Sequence, residues 1–457
     1  MTKLKKDDVI ELDITDLNNL GNGVGRYPDK DGMVVFVRGA VSGDRVSASV
    51  IKVTSGFAVA RLLKVITPSK NRSECDVCTA PLSCGGCVYR HITYEHELEI
   101  KEGYVKSAFA KVGLHDVNVL PVLSTNRQTG YRNKGQYPVA KTKKGIAAGF
   151  YAAKTHNIIA AESCAIQNAK FADIIRFVCD FADKNGWSAY DESTGQGLLR
   201  HVYLRIGEKT GEIMLCLVIN GSNLPCEQSF VGAVREHFSD IVSIVLNKNI
   251  KNTNVVLGKE YRTLYGKNGI EDELCGLRFF ITPDSFYQVN RDGAELLYKT
   301  AAKMAELSGN EVLMDLYCGT GTIGLSMADR VSILYGVEIV ESAVKCAKEN
   351  AERNKVKNAE FLCADAGKKE VILAATGGKA PDVVVMDPPR KGSTKELIEC
   401  LSELNIPKIV YVSCDPDTLA RDCKWFAECG YTLGNVQPVD MFPRTGHVES
   451  VVCLTRK

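Results

Sequence analysis

No stretch of about 18 uncharged apolar residues occurs in the 457-residue sequence, so there is no candidate for a membrane-spanning helix. The start, MTKLKKDDVIELDI, has basic residues but no apolar segment behind them, and neither export nor a membrane anchor is expected. An excess of one charge is lacking too. With 57 Lys and Arg against 55 Asp and Glu the net charge is +2, so affinity for a polyanion must come from local patches. Cysteine is too sparse for a disulfide scaffold, and 17 is an odd number that cannot all pair internally. A reducing, cytoplasmic setting and a monomer are the expectation. There is no internal repeat and no low-complexity tract. What remains is ordinary globular composition, 45% hydrophobic and 25% charged, at a length that suggests about three domains.

Between Val9 and Ile66, short apolar runs (VIELDI, MVVFV, RVSASVI, FAVARLLKVI) alternate with Gly, Pro, Asp and Asn clusters, which predicts a small barrel of about five strands. LGNGVGR and RGAVSGDRV read as its turns. Residues 1–72 hold twelve Lys or Arg against eight Asp or Glu, a weak bias toward a polyanion. Gly21, Gly23, Gly25 and Arg26 followed by DGMVVFVRGAVSGDRV resemble a TRAM domain, an OB-like RNA-binding module. A central β-rich domain is expected over 73–280, with a helix at about 94–112 that packs on the catalytic domain. Within it, residues 121–161 carry Arg127, Arg132, Lys134, Lys141, Lys143, Lys144 and Lys154 with no acidic residue, interleaved with Tyr131, Tyr137, Phe150 and Tyr151. Cations for phosphates and aromatic faces for stacking suit single-stranded or looped RNA, although a solvated basic hairpin has the same composition.

From 281 to 457 the pattern becomes strand, helix, strand, helix (EVLMDLY, ILYGVEI, AEFLCA, DVVVMD, KIVYVSC), the mark of a doubly wound parallel sheet. The last stretch, from GYTLG to the end, reads as an antiparallel edge hairpin. DLYCGTGTIG places Gly319, Gly321 and Gly324 in G-x-G-x-x-G spacing after the first strand, and Glu338 ends the second, where a carboxylate accepts ribose hydroxyls. This fingerprint alone serves NAD or S-adenosylmethionine. DVVVMDPPRKG discriminates, because Asp387 followed by two prolines resembles the fourth motif of class I methyltransferases. Asp365, in LCADA, sits where that fold places an acid near the adenine amine.

Cys414 follows the fifth strand between Ser413 and Asp415, at the carboxyl edge where such sheets bind ligands. Carbon 5 of a pyrimidine is a poor nucleophile, and covalent addition of a thiolate at C6 is the chemical remedy. FYQVN, DLYCGTG, GVE, DPPRKG, VSCDPDTLARD and GHVES are similar, in order, to the motifs of the RNA (uracil-5-)-methyltransferase family. That resemblance implies a Rossmann-like class I fold, with Cys414 as nucleophile and Glu449 as base. It also implies S-adenosylmethionine held by Gln288, Tyr317, Gly319, Glu338, Asp365 and Asp387.

Cys75, Cys78, Cys84 and Cys87 lie within thirteen residues. Taken locally, four thiolates suit zinc or an iron-sulfur cluster. The TRAM-containing uracil methyltransferases resemble the second option, with C-x5-C-x2-C from Cys78, Cys84 and Cys87 and a distant fourth ligand, Cys164, for a 4Fe-4S cluster. Cys75 is then a spare. Such a cluster, fully held by cysteine, is expected to be structural or to order RNA. TRAM plus cluster resembles members acting on 23S rRNA more than tRNA members. The competing classes are an NAD-linked iron-sulfur oxidoreductase, which has no need of DPPRKG, and a non-catalytic RNA-binding module, which has no use for Cys414 and Glu449.

Overall fold

Alternating apolar residues form β1 (Val9–Leu17), β2 (Asn22–Arg26), β3 (Val34–Arg38), β4 (Arg45–Val53) and β5 (Phe57–Thr67), closed into a barrel in the order β1-β2-β3-β5-β4. Every second residue, such as Ile10, Leu12, Ile14, Val35 and Val37, fills the interior. The computed structural model describes residues 4–27, 32–73, 78–81, 83–160 and 162–457, so the spare Cys75 lies outside the described residues. One expectation fails here: most of LGNGVGR is strand, not turn. Gly23 and Gly25 are buried in β2, where an added Cβ would come within 2.9 Å of Ile14 and 2.6 Å of Leu12. Glycine thus marks close packing across a narrow barrel.

Helix α1 (Tyr94–Lys111) starts at Thr93, whose side chain caps it by accepting from the backbone N–H of His96. Its buried Val105, Ala108 and Phe109 pack into the C-terminal half of the molecule. The central sheet comprises β6 (Lys134–Thr142), β7 (Gly145–Tyr151), β8 (Ile158–Ala160), β9 (Leu199–Ile206), β10 (Ile213–Ile219), β11 (Ile241–Lys248) and β12 (Glu260–Gly266), ordered β12-β11-β10-β9-β6-β7-β8. Helices α2 (Lys170–Lys184) and α3 (Glu227–His237) cover one face through Phe171, Ile174, Val178, Phe230 and Val234. The opposite face presents Tyr203, Met214, Cys216 and Val245 to the catalytic body, so β9 and β10 are buried on both sides. A hairpin, β13 (Ile270–Leu274) and β14 (Leu277–Ile281), joins the same core.

Helix α4 (Arg291–Ala305) leads into the second large sheet. Its elements are β15 (Val312–Leu316), α5 (Thr322–Leu325), β16 (Ile333–Glu338), α6 (Glu341–Arg353), β17 (Ala359–Cys363), α7 (Lys369–Ala375), β18 (Val383–Met386), α8 (Lys395–Glu403), β19 (Lys408–Ser413), α9 (Pro416–Glu428), β20 (Tyr431–Val439) and β21 (Glu449–Arg456). The strand order is β17-β16-β15-β18-β19-β21-β20, parallel through β19, with β21 antiparallel between β19 and β20. Strand residues alternate between two cores. Leu313, Val385, Val410 and Val412 face α4 and α6, while Met314, Leu316, Met386 and Tyr411 face α1, α8 and α9. This is a Rossmann-like sheet whose switch point lies between β15 and β18. Residues 119–123 run parallel beside β20, bridging Val119 to Val436 and Leu123 to Val439, and so cover an otherwise open edge.

Candidate active site

The glycine turn after β15 is built for close approach. Gly324 N–H donates to Asp315 Oδ2 at 2.8 Å, and a Cβ on Gly324 would lie 2.7 Å from that oxygen. Tyr317 adopts φ 62°, a left-handed conformation that costs an L-residue about 1–2 kcal/mol and turns the chain toward the crevice. Gly319 (φ 54°) has no protein atom within 4 Å of where its Cβ would stand, so its open side can receive a ligand. Glu338 accepts from Gly319 N–H through one oxygen (3.2 Å) and from Val340 N–H through the other (2.9 Å). A carboxylate has about four acceptor sites, which leaves capacity for a ribose.

The remaining crevice residues converge from separate elements. Gln288, buried on the loop before α4, hydrogen-bonds the Tyr298 hydroxyl, which also meets Thr322 Oγ1 at 3.0 Å. That loop is clamped from the central sheet: Asn133 Nδ2 donates to the Gln288 carbonyl (2.9 Å), and the fully buried Arg205 guanidinium donates to the carbonyls of Ser285 and Tyr287. Asp365 is exposed after β17, with one oxygen accepting from Gly367 N–H, and its charge acts on Tyr317. Burial raises Asp315 to about 7 and Asp387 to about 7.

Cys414 is delivered by the turn from β19 into α9. Asp415 caps α9 by accepting from Thr418 N–H at 3.0 Å, and Pro416 starts the helix. Thr418 Oγ1 donates to the Arg390 carbonyl, and Arg421 donates to that of Lys391, which fastens the DPPRKG loop to the same helix. In the antiparallel β19–β21 pair the last partners are Ser413 and Ser450. Cys414 is the residue that follows Ser413, and Glu449 the one that precedes Ser450. The two side chains and Asp387 form one electrostatic group. Burial, then Glu449 and Asp387, push the Cys414 thiol up to about 11 against the opposing pull of Arg390. Burial and Asp387 likewise push Glu449 up to about 8. Arg390 and His447, which burial and then Arg390 hold below its ordinary range, stand beside this group but were not singled out from the sequence. Both stand inside motifs legible there.

The Glu449 shift has a stability consequence. Folded, its carboxyl keeps a proton to about pH 8, whereas the ordinary value is 4.5, so the native state loses relative stability as pH rises through that window. Glu449→Gln is therefore expected to melt several degrees above wild type at about pH 9 and alike at about pH 4. A lower melting temperature at the alkaline end would contradict the buried, strained carboxyl.

The cysteine loop lies against the β7–β8 hairpin through Gly85 N–H donating to Tyr151 O (3.2 Å) and an isolated bridge from Cys84 to Ala152. Arg90 ties it from below by donating to the carbonyls of Ala80 and Cys78. Cys78, Cys84, Cys87 and Cys164 line one cavity of about 250 Å³ with Arg132 and Lys134. Burial and the other three thiols push Cys87 up to about 12. Among the described residues, no three His, Cys, Asp or Glu side chains are arranged to hold one metal ion. The basic segment needs a correction. Tyr131 and Tyr137 are 0% and 5% exposed and cannot stack on bases, because the Tyr131 hydroxyl donates to Pro443 O and the Tyr137 ring packs on Phe150. Arg127 is engaged with Glu208 and Asp292. Lys141, Lys143, Lys144 and Lys154 remain exposed.

Comparison with known proteins adds independent findings. The profile of the tRNA (Uracil-5-)-methyltransferase family matches residues 236–457, and that of the TRAM domain matches residues 3–63. An RNA methyltransferase of Clostridium tetani is 43% identical over 99% of this chain and 97% of its own. One from Caldanaerobacter subterraneus subsp. tengcongensis is 39% identical over 100% of both chains. Among solved structures, the tRNA (uracil-54, C5)-methyltransferase of Pyrococcus abyssi, in complex with S-adenosyl-L-homocysteine, superposes with a TM-score of 0.79 at 28% identity, covering 98% of this chain and 100% of the other. Alike from end to end to RNA methyltransferases and matched by the uracil-5 profile through its parallel sheet, this chain belongs to the S-adenosylmethionine-dependent RNA (uracil-5-)-methyltransferase family.

Proposed function

We propose that this enzyme methylates C5 of a uridine in structured RNA, with Cys414 as the nucleophile and Glu449 as the base. The observation that carries the reading is the β19–β21 pairing, which ends at Ser413 and Ser450 and so brings the flanking Cys414 and Glu449 into one electrostatic group with Asp387. Gln288, Tyr317, Gly319, Glu338, Asp365 and Asp387 would hold S-adenosylmethionine, which when bound supplies an electrophilic methyl group. The protein's part is distinct. Cys414 gives its proton to solvent and its sulfur bonds to C6 of the uracil, while the C5–C6 double bond opens to an enolate that makes C5 nucleophilic. After C5 is methylated, Glu449 takes the C5 proton, the C5–C6 double bond re-forms and the thiolate leaves. Glu449 acts in its ionised form, and the burial and Asp387 that push it up to about 8 make that carboxylate a stronger base toward the C5 proton.

The four cysteines around one cavity also support a 4Fe-4S cluster held by Cys78, Cys84, Cys87 and Cys164. Three thiolates from one loop and a fourth from elsewhere in the chain are a ligand set that such a cluster takes. The cluster would lend the loop rigidity, since the chain spends its own thiolates on it. Anaerobic purification should give iron and sulfide with the protein, and zinc alone would contradict the assignment.

The proposed substrate is 23S rRNA, with the enzyme acting as a cytoplasmic monomer. A tRNA is the second reading, favoured by the whole-chain likeness to the Pyrococcus abyssi enzyme. Mapping 5-methyluridine in both RNA classes with and without the gene separates them. Loss confined to 23S rRNA supports the first and loss confined to tRNA the second. No loss in either overturns the uracil reading.

A further inference from the structure

The turn between β1 and β2 of the barrel packs on the segment that leads into Glu449, through Asn19 against Gly446. Asn18 closes the turn by accepting from the N–H groups of Leu20 (3.1 Å) and Asn22 (3.0 Å) through Oδ1, and its carbonyl accepts from the Tyr89 hydroxyl at 3.0 Å. Gly21, at φ +73°, lies so close to Val88 that any Cβ would strike the Val88 carbonyl. Asn19 meets the segment that leads into Glu449 and, through Tyr104, the helix that follows Cys414. Its carbonyl abuts Gly446, three residues before Glu449, where a Cβ would collide with it. Its side chain hydrogen-bonds the Tyr104 hydroxyl, which donates to Asp417 Oδ2 at 2.9 Å, three residues after Cys414.

Leu20 stands between these anchors and is 60% exposed. A single exposed leucine is unremarkable on most surfaces. This one sits on a turn fixed from both ends, next to Asn19, whose carbonyl abuts Gly446, the residue before the polar His447. Polar groups there suit phosphates, whereas an apolar side chain on a fixed backbone suits the face of a base.

We propose that Leu20 is a wedge that enters the RNA stack and fills the place of the target uridine when that base swings out to Cys414. The inference rests on the proposed uracil-C5 reaction. A uridine cannot reach a nucleophile while stacked, and apolar side chains inserted at a base step make up for the lost stacking. The barrel is then part of the catalytic mouth as well as an RNA-holding module.

The test uses the full-length protein and total RNA from cells lacking the gene, supplied folded or fragmented into short unstructured pieces. Leu20→Ala is expected to lose about tenfold in kcat/KM on folded RNA and to stay within about twofold on the fragments, because only the folded RNA requires unstacking. Leu20→Phe should retain activity on both. Unchanged melting temperature and S-adenosylhomocysteine binding confirm an intact fold. Wild-type rates for Leu20→Ala on folded RNA, or equal losses on both substrates, overturn the wedge while leaving the uracil reading standing. Wild-type protein that methylates neither RNA overturns that reading, and the wedge with it.

Discussion

Cys414→Ala is expected to abolish methyl transfer, leaving less than about a hundredth of wild-type turnover, because without a covalent bond at C6 the C5 carbon has no driving force to attack. Binding of S-adenosylhomocysteine should survive. The contacts expected to hold it come from the turn after β15, from Glu338 and from Gln288, whereas Cys414 lies beyond β19 in the turn set by Ser413 and Asp415. Thermal stabilisation by S-adenosylhomocysteine is the measurement that separates the two effects, and it should match wild type. The same substitution at Cys423, fully buried in α9, should instead lower stability with little specific effect on chemistry, since that thiol is core filling. Turnover of Cys414→Ala above the stated level would argue that the base is activated without a covalent link.

Glu449→Gln should divide the reaction at its midpoint. Glutamine keeps the size of the side chain and one acceptor but cannot take a proton from C5. Removing the carboxylate also removes a negative neighbour that helps to hold the Cys414 thiol near 11, so formation of the thiolate is helped, not hindered. The methylated ring should then remain attached to the enzyme. A protein–RNA species from ordinary RNA, slow on a denaturing gel and carrying label from a methyl-tritiated donor, is the expected product, with free methylated RNA reduced at least about a hundredfold. Free product at the wild-type rate without that species would mean that another group removes the proton.

The catalytic half was legible because its chemistry lies at strand ends, and short apolar runs mark those ends clearly. Asp387, Cys414 and Glu449 are far apart in the chain, yet each follows or begins a strand of one sheet. What periodicity could not show was the pairing of β21 between β19 and β20, which joins Ser413 to Ser450 and so brings the segments that carry Cys414 and Glu449 together. The basic segment was read by composition, and composition cannot tell a stacking tyrosine from Tyr131, whose hydroxyl is spent on Pro443 O. Helix α2 carries Phe171, Ile174, Ile175 and Val178 at helical spacing, a signal legible in the sequence within an otherwise strand-rich stretch. The glycines of β2 look like turn residues in the sequence, because the tightness that requires them comes from Leu12 and Ile14 across the barrel. Equally hidden were Arg205 and Asn133, which hold the Gln288 loop from another sheet.

The covalent mechanism at Cys414 is tested most directly by incubating the enzyme and S-adenosylmethionine with RNA in which uridine is replaced by 5-fluorouridine. Fluorine at C5 cannot be removed as a proton, so a nucleophile that adds to C6 stays bound after methyl transfer. Proteolysis and mass spectrometry should then find one of the 17 cysteines, Cys414, carrying a methylated fluorouridine nucleotide. An adduct on a different residue, or release of the RNA without any adduct from an enzyme active on ordinary RNA, would contradict the account.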